Sequence, residues 1–133
     1  TNFGGATVLR DGNMVVLAVF SDKRSMLYRL NLFREQFPLT QPYAKELDGV
    51  AGSEVKTAWS RTGLLATSSD GVTNDRNDGR AHFALFDFMG NKLWEDGTRE
   101  GYRGEVSLSA DGTRLFAQAG NVFYCYQIDR KKP

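Results

Sequence analysis

EVSLSADGTRLFAQAGNVFYCYQID, residues 105–129, holds three strand-like runs joined by two tight reversals. Val106 and Leu108 alternate with Ser107 and Ser109. Asp111-Gly112 then supplies a turn whose glycine reaches positive φ without a Cβ clash. Leu115, Ala117 and Ala119 alternate with Arg114, Phe116 and Gln118, the period of a half-buried strand. Gly120-Asn121, flanked by Ala119 and Val122, is a two-residue hairpin. The third run, residues 122–128, is aromatic or branched at nearly every position. This predicts a β-meander whose last strand meets apolar neighbours on both faces.

The same pattern occurs three times. Gly12, Gly63 and Gly112 lie 51 and 49 residues apart, each after a short apolar strand (GATVLR, 5–10; VKTAWS, 55–60; EVSLSA, 105–110). A second strand follows each glycine, at 14–20, 64–68 and 114–119, and then a hydrophobic third, at 26–32, 81–88 and 122–128. A period of about 40 to 50 residues with several strands per unit is that of propeller blades. The expectation is an all-β, propeller-type chain of three antiparallel four-stranded meanders, at about residues 5–40, 55–95 and 105–129, the last lacking its fourth strand. Met14–Phe20, the most apolar run, is read as a central strand. The fourth strand of the first unit is placed near residues 36–39, at a sheet edge because Pro38 cannot donate to a ladder. Residues 40–54 are read as a connection, 92–95 as the fourth strand of the second unit, and 96–104 as the lead into the third.

Composition narrows the function classes. The chain has 133 residues, with 17 Lys plus Arg against 16 Asp plus Glu, so no long-range field draws it to nucleic acid or an anionic membrane. No apolar run reaches the 18 to 20 or so residues of a membrane span. Cys125 is the only cysteine, which precludes an intrachain disulfide and leaves the compartment open; its place in an apolar strand predicts a buried thiol. The sequence starts without an initiator methionine or signal peptide, which reads as a mature form or an excised piece.

The SLSADGTRLFA pattern, with a third strand ending in Asp, resembles the repeat of WD-repeat-like and bacterial surface-type β-propellers. Residues 84–94, ALFDFMGNKLW, resemble the Ala/Asp/Gly/Trp segment of pyrroloquinoline-quinone-type propeller repeats. That resemblance implies that Trp94 packs between neighbouring blades and that Gly90 forms the turn before it. The Gly-His and Trp-Asp pairs of true WD repeats are absent from the sequence. A propeller superfold implies architecture and no particular activity.

Side-chain chemistry marks several candidate sites. The loop at 69–80 carries Asp70, Asn74, Asp75, Asn77 and Asp78, oxygen ligands of the kind calcium takes. Against an EF-hand-like template, however, Arg76 falls at the third position and Leu85 at the twelfth, so a solvated hairpin is the preferred reading. His82 is the only histidine and reads as structural: zinc needs several His or Cys ligands, and no Gly-x-Ser-x-Gly elbow presents a nucleophile. The carboxylate pairs Glu46/Asp48 and Glu95/Asp96 read as solvated. No cofactor is implied. Tyr43, Trp59, Tyr102 and Arg103, placed near the channel mouth by the repeat, have the aromatic-plus-arginine composition of an interaction hot spot; the alternative is that Trp59 fills the core between blades and the tyrosines cap it.

Three blades are too few to close a ring, and an unpaired edge invites another chain. The function expected is a non-enzymatic protein-binding or assembly module, completed by a second copy or by the remainder of a longer propeller. The alternative is the propeller portion of a larger enzyme or a carbohydrate-recognition unit.

Overall fold

A computed structural model describes residues 2–9, 14–20, 24–31, 43–50, 55–69, 81–99 and 103–129. Those residues form eleven strands: β1 (Asn2–Leu9), β2 (Met14–Phe20), β3 (Met26–Asn31), β4 (Tyr43–Glu46), β5 (Lys56–Trp59), β6 (Leu65–Ser69), β7 (Ala81–Phe86), β8 (Lys92–Arg99), β9 (Arg103–Leu108), β10 (Arg114–Ala119) and β11 (Val122–Gln127). They pair as three antiparallel meanders, β1-β2-β3-β4, β5-β6-β7-β8 and β9-β10-β11. The first strands of successive sheets, β1, β5 and β9, contact one another in order. Each sheet is therefore a propeller blade, with its first strand innermost.

Two hydrophobic cores hold the blades together, one at each blade-to-blade interface. Val16, Ala18, Phe20 and Leu27 of blade 1, with Leu47 and Val50 just after β4, meet Leu65, Ala84 and Phe86 of blade 2. Leu64, Ala66, Ala81, Phe83 and Leu85 of blade 2 meet Val106, Leu115, Ala117 and Ala119 of blade 3. Because side chains alternate across a strand, β7 sends Ala84 and Phe86 one way and Ala81, Phe83 and Leu85 the other. Every residue of β6 and β7 is buried. Burying a side chain such as Phe83 or Phe86 contributes about 1.5 to 3 kcal/mol.

The turn after the first strand of blades 2 and 3 repeats with one variation. In blade 3, Ser109 Oγ accepts from the amides of Thr113 (3.1 Å) and Arg114 (2.9 Å) and donates to Asp111 Oδ1 (2.8 Å). In blade 2, Ser60 Oγ accepts from the Leu64 amide (3.0 Å) and lies 2.8 Å from Thr62 Oγ1, so threonine stands where blade 3 has aspartate. Trp59 pairs with Leu65 and Leu108 with Leu115, which makes the blade 3 turn one residue longer. The two turns also touch: the Arg61 amide donates to the Ala110 carbonyl at 3.2 Å. Gly112, at φ 75°, lies so close that a Cβ there would sit 2.9 Å from both Leu64 Cδ1 and Thr62 Oγ1.

The structure corrects several expectations. The fourth strand of blade 1 is β4, inside the span read as a connection; residues 36–39 lie outside the described residues. The short Tyr43–Glu46 strand gave no apolar period because Ala44 and Glu46 are exposed. β8 runs on to Arg99 and β9 begins at Arg103, so most of the expected lead between units is strand. β11 is not covered on both faces: Val122 and Phe123 are 50% and 73% exposed, and Cys125 is exposed as well. An aromatic, branched run signals a two-sided strand only when a layer lies on each side, and blade 3 meets a blade on one side alone among the described residues.

Candidate functional site

The residues first suspected of binding do not converge. Tyr43 is in β4, the outer strand of blade 1, paired with Arg29. Trp59 ends β5, half-buried against the core between blades 1 and 2. Its indole covers Gly5, where a Cβ would lie 3.1 Å from Nε1 and where β1 is bulged with φ 91°. Arg103 begins β9, opposite Ala119. Lys56 faces Glu105 at 3.6 Å while Arg61 meets Ala110, so β5 and β9 run side by side and Trp59 lies toward Leu108, at the far end of β9 from Arg103. Tyr102, Gly12 and the calcium-like loop at 70–78 lie outside the described residues. Gly63, Gly90 and Gly112 all have positive φ, and Gly90 follows a turn in which Asp87 Oδ1 accepts from the amides of Met89 and Asn91, both at 2.9 Å.

Of the carboxylates read as solvated, Glu46 and Asp48 are exposed, whereas Glu95 and Asp96 make close contacts. Glu95 and Asp96 are consecutive in β8 and take opposite sides of the strand. Glu95 Oε2 is 3.1 Å from His82 Nε2, and Glu95 Oε1 is 3.1 Å from Lys92 Nζ, which also reaches Asp48 Oδ2 at 3.4 Å. The network ties the turn after β4 to blade 2. The hydrogen bond from Lys92 holds the Glu95 carboxyl below its usual range; partial burial opposes this, and His82 adds to it. Burial lowers the Lys92 pKa, but the hydrogen bond and charge of Glu95, together with Asp48, leave it raised. Buried His82 Nδ1 has no hydrogen-bond partner among the described residues. Ser69 pairs with His82 across β6 and β7 but is fully buried, so a substrate has no access to its hydroxyl. On the other side, Asp96 Oδ2 accepts from Tyr126 of blade 3 at 2.5 Å.

The open side of blade 3 is the most accessible apolar surface among the described residues. The cross-strand registers align it with blade 2: Leu65↔Phe86, Ala66↔Leu85 and Ser68↔Phe83 in one, Leu115↔Tyr126, Phe116↔Cys125 and Gln118↔Phe123 in the other. Phe123 thus corresponds to Phe83, Cys125 to Leu85 and Phe116 to Ala66. Phe83, Leu85 and Ala66 are buried because blade 3 lies on them. At the same positions of blade 3, Phe123 is 73% and Phe116 54% exposed. One turn of sequence pattern therefore yields a core face in blade 2 and a bare face in blade 3.

Beside that face runs a groove. A cavity of about 610 Å³ lies between β8 and β11, lined by Leu93 and Trp94 on one wall and by residues 125–129 on the other. A one-residue bulge, in which Leu85 pairs with Trp94 but Phe86 with Lys92, brings Leu93 and Trp94 onto the same groove. The Trp94 ring is 4.6 Å from Tyr126 at 57°, which places the indole between blades 2 and 3. Nothing in the local sequence marks this groove, because its walls come from strands about thirty residues apart.

No family model matches the sequence, and neither does any curated protein. Among solved structures, the chain is similar to TolB from Acinetobacter baumannii, with 17% identity and a TM-score of 0.49, over 92% of this chain and 28% of that one. The chain thus spans less than a third of that protein's length.

Proposed function

We propose that this chain is a protein-binding or assembly module in which another blade-like sheet, from a second copy or from the rest of a longer propeller, covers the open face of blade 3. The observation that carries this reading is the register match of Phe123, Cys125 and Phe116 to Phe83, Leu85 and Ala66. Large apolar side chains placed as blade-packing residues and left exposed are what an interface core requires. In the two-copy form, blade 3 of each chain lies on blade 1 of the other and closes six blades about a two-fold axis. Under this reading the chain's function lies in what it holds together, and the repeat type follows the propeller families named above.

Sedimentation velocity across a concentration series tests it. The chain should associate reversibly, and Phe123→Glu with Phe116→Glu should leave the β-sheet circular dichroism intact while returning the monomer. A monomer at every concentration, whose cooperative unfolding is the same with and without those substitutions, would overturn the reading.

A further inference from the structure

We infer that the groove between β8 and β11 is a peptide-binding site, which takes one extended segment of a second polypeptide as the fourth strand of blade 3. The inference rests on the reading that the chain binds polypeptide, and it names a different surface, the edge instead of the face.

The hydrogen-bonding pattern of β11 defines the site. The Gly120-Asn121 hairpin closes on the Ala119↔Val122 pair, and the Ile128 amide donates to the Thr113 carbonyl at 2.8 Å. In an antiparallel pair, hydrogen-bonded and non-hydrogen-bonded residues alternate. Val122, Tyr124, Tyr126 and Ile128 therefore turn their backbone groups toward β10. Phe123, Cys125 and Gln127 turn theirs outward, and β11 has no strand on that side among the described residues. An unpaired amide and carbonyl at every second residue form a template for one more strand.

The other two blades show what fills this position. β4 pairs antiparallel with β3, and β8 with β7. The equivalent place in blade 3 is the groove, so its occupant runs antiparallel to β11. Blade 2 is one strand wider than blade 3, and β8 overhangs the space beyond β11. That space is one strand wide, roughly 5 Å. A second copy joined antiparallel through its own β11 would place its blade 2 where β7 and β8 stand, so the space suits a strand with no blade stacked on it.

The side-chain pattern of the ligand follows. Residues opposite Tyr126 and Ile128 project into the groove against Leu93 and Trp94 and must be apolar. Residues opposite Phe123, Cys125 and Gln127 project to the outer face and carry the backbone bonds to β11. The class of ligand is thus a peptide that alternates apolar with polar residues over about five positions, the length from Cys125 to Asp129, near 15 Å of extended chain.

A capped eight-residue peptide alternating valine with lysine and threonine is the probe, titrated into the intact chain. Bound peptide should slow amide exchange at Phe123, Cys125 and Gln127 by about tenfold or more while leaving Tyr124 and Tyr126 unchanged. N-methylation of the lysine and threonine amides should abolish binding, whereas N-methylation of the valines should leave it within about twofold, because only the first set donates to β11. Phe116→Glu, on β10 and away from the β11 edge, should keep this binding although it weakens association through the face. The inference is overturned if the peptide gives no protection at millimolar concentration, if both methylated peptides bind alike, or if self-association protects the same three amides. In each of those cases the face reading stands or falls separately on the sedimentation result.

Discussion

Blades 2 and 3 carry the same meander and meet opposite fates. In blade 2, Phe83 is fully buried against Tyr124 and Tyr126, with ring centroids 6.0 and 6.5 Å away. In blade 3 the matching Phe123 is largely exposed. The residues are identical and the local backbone is equivalent; the difference is the layer that lies on one and not on the other. A strand in a stack of sheets is stabilised by the layers on either side, so its burial is a property of its place in the stack.

The sharpest way to break this comparison is to truncate both rings. Phe83→Ala should cost about 3 to 5 kcal/mol, the range for buried aromatics, whereas Phe123→Ala should stay within about 0.5 kcal/mol, as exposed changes do. Urea denaturation measures both, and equal losses would show that Phe123 is covered in solution. Phe123→Ala should be run at low concentration so that association does not enter the comparison.

A second substitution probes the seam between the two blades. Trp94→Ala removes an indole that touches Tyr126 and lines the groove. Its half-buried position puts the expected loss near 3 kcal/mol, at the low end for large aromatics. A loss near zero would make Trp94 a surface contact, and would remove one wall of the proposed peptide site.

The smallest effect expected is on the acid limb of stability, where each blade contributes one carboxylate. Glu95 in blade 2 is held low by Lys92, with partial burial opposing and His82 assisting. Asp111 in blade 3 is held low by the hydroxyls of Thr113 and Ser109 and the Thr113 amide. A carboxyl whose folded pKa lies below its unfolded value binds protons more readily in the unfolded chain. Its stabilisation is present above the unfolded pKa, about 3.9 for Asp and 4.3 for Glu, and is lost as pH falls through the folded value. Glu95→Gln and Asp111→Asn should each flatten the fall in melting temperature below about pH 4. Both groups are substantially exposed, so salt should weaken the effect. An unchanged acid limb in both variants would remove the two hydrogen-bond networks as sources of stability.

Much of the fold was legible because its signals are local. The alternation in Arg114–Ala119, the Gly120-Asn121 hairpin and the turns at Gly63 and Gly112 are backbone and periodicity facts that need no distant partner. Met14–Phe20 showed itself as central by apolar content alone, and it lies between β1 and β3. β4 was not legible. With four residues, one-sided and polar, it is a strand because β3 offers it an edge. Glu95 and Asp96 looked like a solvated pair because adjacent carboxylates carry no sign of their direction; alternation across β8 then sent one to His82 and Lys92 and the other to Tyr126.

The sequence by itself determined three meanders and the turns at Gly63, Gly112 and Gly120, since strand period and turn chemistry are written in neighbouring residues. Only the tertiary structure decided which apolar faces are core and which are bare. Phe83 and Phe123, or Leu85 and Cys125, cannot be told apart by local pattern, because burial depends on a layer contributed by residues far away in the chain. The groove beside β11 is a product of the same rule: it exists because one blade is a strand wider than the next, a difference that appears only when the sheets are stacked.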